Sequence, residues 1–89
     1  MATPHDYRGI WVAVSEKLKG TRVVIKKVGG SAWLAYDQHF TNVQFDGAMK
    51  HGRLILTSRN NHEVTVMRLG NGTLHWTIFG GVTLRRLSD

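Results

Sequence analysis

The sequence contains no cysteine, so a disulfide, a thiolate metal site and a thiol nucleophile are all excluded. Its one proline is Pro4, and no linker, repeat or low-complexity tract interrupts it. No apolar run approaches the roughly 18 residues that a membrane span needs. The opening MATPHDYRG lacks the charged-then-apolar layout of a signal peptide. The expectation is a soluble, intracellular chain without a membrane partner, placed in the nucleus or cytoplasm if eukaryotic. Carboxylates are few: six Asp and Glu stand against twelve Lys and Arg. The histidines at 5, 39, 51, 62 and 75 have no metal-like spacing. Ser15, Ser31, Ser58 and Ser88 lie in no nucleophile motif, and no glycine turn leads into the Lys-Ser/Thr of a phosphate loop. The chain therefore reads as a non-enzyme with no cofactor and no metal.

What is present is one small domain: 89 residues, 42% hydrophobic, with a formal net charge of +6. So short a chain buries only about 60–65% of its unfolded surface, which makes oligomerisation a source of further burial. The positive balance points to an anionic partner such as nucleic acid, with an inert basic surface as the bland alternative. The basic residues are spread along the chain rather than clustered.

The first twenty residues differ in period from the rest. Thr3 suits a helix cap, Pro4 the first helical position and Asp6 the first turn. Tyr7, Ile10, Trp11, Val14 and Leu18 follow at spacings of three and four, and Gly20 is a natural stop. The spacing predicts a helix over 4–19; the competing reading is a strand over 8–14. Beyond Gly20 the period is two. Strands are expected at 21–28, 32–36, 42–58 with a bend near Gly47 or Gly52, 63–79 with a break at 70–72, and 82–87. The fold class is mainly β: an N-terminal helix and about five strongly bent antiparallel strands in a small barrel. The last two strands are short and apolar, and such edges suit pairing with other chains.

The stretch Lys19-Gly20-Thr21-Arg22-Val23-Val24-Ile25, followed by Leu34-Ala35-Tyr36-Asp37-Gln38-His39-Phe40-Thr41-Asn42-Val43-Gln44-Phe45-Asp46-Gly47-Ala48, resembles the first motif of the Sm and Sm-like RNA-binding proteins. Leu74-His75-Trp76-Thr77-Ile78-Phe79-Gly80-Gly81-Val82-Thr83-Leu84 is similar to the second. One residue more separates Asp37 from Asn42 than in that family, and Phe79 stands where the family has Arg. The resemblance implies one domain over 1–89: helix 4–19, first motif 20–48, extended hairpin 49–72 and second motif 73–87. It further implies a hexameric or heptameric ring with other Sm-like subunits, of mixed composition, binding single-stranded U-rich RNA in splicing, processing or decay. The implied RNA-binding residues are His39, stacking on a base, Asn42, reading uracil, Phe79, and Gly80, which lets the backbone approach. Asp37 would organise the loop.

A second resemblance competes. Gly9-Ile10-Trp11 is similar to the Gly-x-Trp of lipocalin first strands, and Arg86 to the Arg that packs over that Trp. It implies a small calycin-like β-barrel of about eight strands, acting as a ligand-binding or protein-inhibitor module. It requires 8–14 to be a strand. A monomeric basic protein-interaction domain is the third reading.

Overall fold

A computed structural model describes residues 7–30, 32–58 and 64–88. Eight strands among them run β1 Gly9–Ala13, β2 Arg22–Gly29, β3 Ala32–Asp37, β4 Gln44–Lys50, β5 Arg53–Ser58, β6 Val64–Gly70, β7 Thr73–Trp76 and β8 Val82–Ser88. A single 3-10 turn, Ile78–Gly80, precedes β8. Every strand pairs antiparallel with its sequence neighbours, and β8 returns to β1, so the sheet is a closed up-and-down barrel. Closure leaves none of these strands as an open edge.

Alternation builds the core. Val23 and Ile25 of β2, Leu54 and Leu56 of β5, and Val82 and Leu84 of β8 point inward and are buried. Each full burial of such a side chain is worth about 1.5–3 kcal/mol. The interior is narrow, and Gly47 makes room in it. A Cβ there would lie 2.8 Å from Leu56 Cδ2 and 3.2 Å from Trp33 Cβ. Gly47 sits between exactly those neighbours in register, opposite Trp33 on β3 and Leu56 on β5.

Two sequence expectations are corrected. The helix over 4–19 does not form across its length: Gly9–Ala13 is a strand that joins β2 to β8, and 14–20 is an irregular loop (residues 4–6 lie outside the described residues). Closing a barrel demands a strand between β2 and β8, and that tertiary pairing overrides the helical spacing. The five bent strands are seven, because Gly52 and Gly72 reverse the chain rather than bend it, and Gly9–Ala13 is the eighth. His51-Gly52 and Asn71-Gly72 both have positive φ at both positions, the pattern of tight hairpin turns whose twist matches the strands. The extended hairpin expected over 49–72 is accordingly divided among β4, β5 and β6. The edges expected to pair with other subunits, on β7 and β8, are taken up within the chain.

The strand order makes the two ends unlike. Of the described connections, one end carries the short turns that follow β2, β4 and β6; the other carries the loops 14–21, 38–43 and 77–81. The short-turn end is sealed. Tyr7, fully buried, donates its hydroxyl to the Gly52 carbonyl at 2.7 Å, with the Met67 carbonyl at 3.2 Å. Trp11 Nε1 donates to the Tyr7 carbonyl at 3.0 Å. The Arg86 guanidinium lies over the Trp11 ring, 4.6 Å from its centroid.

Candidate functional site

Among the described residues the loop end is open, and a cavity of about 460 Å³ lies within it. Its buried lining is aromatic. Phe45 and Trp76 meet edge to face, with centroids 5.5 Å apart and planes at 83°. Trp76 Nε1 donates to Oγ1 of the buried Thr65 at 2.9 Å, which fixes the indole. Tyr36 and Leu18 line the wall, and Asn42 and Phe79 the mouth.

Three loops hold the mouth. In the first, Gly20 N–H donates to the Ala13 carbonyl and Thr21 N–H to the Leu18 carbonyl, and Leu18 takes a positive φ of 61°. That conformation turns the Leu18 side chain onto the core. In the second, Asp37 Oδ1 accepts from the backbone N–H groups of His39 (2.8 Å) and Phe40 (3.0 Å). This is the local side-chain-to-backbone pattern that Asp favours at turns. Val43 N–H then closes onto the Phe40 carbonyl. In the third, the 3-10 turn places Phe79 at φ 53° and ψ 34°, a left-handed conformation that bulky residues rarely adopt. Its ring is 59% exposed. Val14, Phe40, Val43 and Val64 are exposed at the same end, so the mouth has an apolar rim.

Of the residues singled out in the sequence, Asp37, Asn42 and Phe79 come together in the lining. His39 is exposed and lies outside that lining, and Gly80 follows Phe79 at φ 81° without lining it. Sequence reasoning missed Tyr36, Phe45, Trp76 and Leu18. Leu74-His75-Trp76 alternates as a strand does, but nothing in it marks where the inner face stops being packed and opens.

Among the described residues no group of three or more His, Asp or Glu side chains is placed to hold a metal. Among them, too, no helix is long and apolar enough to cross a membrane. Comparison of the chain with protein-family models, with curated proteins and with solved structures gave no match.

Proposed function

We propose that this chain is a small calycin-like binding barrel that takes one apolar, largely flat molecule into its open end. The observation that carries this reading is the aromatic-lined cavity of about 460 Å³, open at one end and backed by the Tyr7–Trp11–Arg86 seal at the other. Small-molecule sites have this form: a mostly apolar concavity of about 300–1,000 Å³ with few polar groups that set orientation. Here Asp37, Asn42, Gln44 and Ser58 supply polar groups, and among the described residues no lysine or arginine lines the space. The neutral dye Nile red tests the reading. Its fluorescence should rise on binding, and Phe79→Ala should weaken it by about 0.5–1.5 kcal/mol, the usual worth of an aromatic contact. Absence of binding, or affinity indifferent to both Phe79→Ala and a mouth-blocking Asn42→Trp, rejects the cavity as the site.

A second occupant fits the same mouth: an unpaired uracil of single-stranded RNA, as the Sm-like resemblance implies. What supports it is that Asn42 and Phe79, far apart in sequence, line one opening. Phe79 would stack, at about 1–3 kcal/mol per base, and the Asn42 amide would meet the base edge with its donor and acceptor. His39, outside the lining, would not be the stacker. If this occupant is right, Asn42→Ala narrows the preference for oligo-uridylate over oligo-adenylate. An unchanged preference removes the base and leaves the apolar ligand.

A further inference from the structure

The barrel's register assembles something the linear sequence scatters. Lys50 on β4 is paired with Arg53 on β5. One step beyond the Leu54–Met67 pair, Arg53 comes opposite Arg68 on β6. Arg68 is paired with His75 on β7. Arg85 on β8 lies diagonal to His75, since His75 pairs with Thr83 and Thr73 with Arg85. All five side chains are exposed and alternate with inward residues, so they share the outer wall. Neighbouring strands are about 4.8 Å apart, so the row from β4 to β7 spans about 14 Å in a single line.

The row is costly to the fold. Like charges directly opposite on adjacent strands destabilise a sheet. Among the described residues, no carboxylate forms an ion pair with Lys50, Arg53, Arg68 or Arg85 that would offset it. The only acidic residue on β4 to β8 is Asp46, four residues before Lys50.

We propose that this row is a track for the phosphate backbone of a single-stranded nucleic acid, read without regard to base. Three features favour that occupant. The charge is of one sign, with no ion pair offsetting it among the described residues. It is laid out as one line, which matches one strand rather than the two of a duplex. It crosses a convex wall, which a flexible strand can follow and a flat bilayer meets only in part. The large exposed apolar side chains that would anchor in lipid are elsewhere: five rim the open end, and Val28 and Leu87 lie outside the row. The track is independent of what the mouth takes.

Fluorescence anisotropy with labelled oligo-uridylate and oligo-adenylate, across a salt series, tests it. The two strands should bind alike through the track, with log affinity falling against log salt at a slope near −3 for four cations, at about −0.7 each. The double variant Arg53→Gln with Arg68→Gln should lose roughly tenfold at low salt and shed about 0.7 of slope per cation. Its melting temperature should hold or rise, since the opposed charges are relieved. Lys19→Gln, in the loop at the other end, should change neither affinity nor slope. Equal losses from Lys19→Gln would mean diffuse attraction to net charge and would overturn the track. So would a double variant with unchanged slope. Binding to phosphatidylserine vesicles that depends on Arg53 and Arg68, without oligonucleotide binding, would overturn the nucleic acid in favour of a membrane. Phe79→Ala and Asn42→Ala separate track from mouth: they should leave the salt slope unchanged.

Discussion

Lys17 Nζ lies 2.7 Å from the carbonyl oxygen of Phe79, joining the first and last loops of the open end across 62 residues of sequence. The bond falls on one of the few described non-glycine residues with a positive φ, and on the bulkiest of them. A left-handed conformation costs a residue with a Cβ about 1–2 kcal/mol. Strain of this kind persists only where its surroundings hold it, and it gathers at binding sites. The lysine and the Gly81 N–H, which donates to the Ile78 carbonyl at 2.9 Å, are what hold it here.

Phe79→Gly should therefore raise stability and lower affinity together. Glycine adopts φ 53° without the Cβ clash, and a ring 59% exposed gives up little burial. The expected gain is about 1 kcal/mol in denaturant unfolding, with loss of Nile red affinity. A destabilised Phe79→Gly would mean that the ring packs more firmly than its exposure indicates.

Lys17→Met separates the anchor from the ring. Phe79 remains, but its carbonyl loses the ammonium donor. Because the bond is exposed, global stability should move by less than about 1 kcal/mol. The readout is local: faster amide exchange at Gly81 and weaker dye binding. If the Gly81 amide exchanges as before, the 3-10 turn does not depend on the lysine.

Gly47→Ala tests the narrowness of the barrel. The new methyl meets Leu56 Cδ2 at 2.8 Å and Trp33 Cβ at 3.2 Å. The leucine methyl can shift, whereas the Trp33 Cβ is fixed by its backbone. Overpacking of this kind costs about 1–3 kcal/mol. Urea unfolding should show the loss with an unchanged m-value; a neutral outcome would place slack in the core near Leu56.

Much of the strand pattern was legible in the sequence, because one face of each strand is buried and the other is not. The strand expected at 82–87 lies at Val82–Ser88, and that at 32–36 at Ala32–Asp37. β1 was misread for a physical reason. Its outward residues, Ile10 and Val12, are apolar and half-buried, so its alternation is hidden. Tyr7 and Leu18 complete a false helical stripe, since both do reach the core, one sealing the closed end and the other lining the open one. Arg86 does lie over the Trp11 ring, a contact between two residues that does not depend on reading a period. The cationic row was invisible because it exists only in the register: Arg53 and Arg68 are neighbours on the wall and fifteen positions apart in the chain.

Tyr7→Phe should destabilise the barrel and leave the mouth untouched. The hydroxyl serves the carbonyls of Gly52 and Met67, beside the turn that reverses β4 into β5. Removing it takes the donor from the Gly52 carbonyl beside a ring that is fully buried. An unsatisfied buried acceptor costs about 1–3 kcal/mol. Phenylalanine preserves the packing, so the loss isolates the hydrogen bond from the hydrophobic burial. Arg86→Met probes the layer above: it keeps an apolar stem on the Trp11 ring and removes the cation, at an expected cost of at least about 0.5–2 kcal/mol. Trp11 contacts Tyr7 and Arg86 alike, so the two costs should not add, and a double-mutant cycle should show coupling. The cavity lies at the opposite end, with no residue of this seal in its lining. Nile red affinity, measured below the unfolding transition, should therefore match the unsubstituted protein for both variants. A fall in affinity that tracks either substitution would show that the two ends of the barrel are not independent, and that the seal sets the shape of the site it backs.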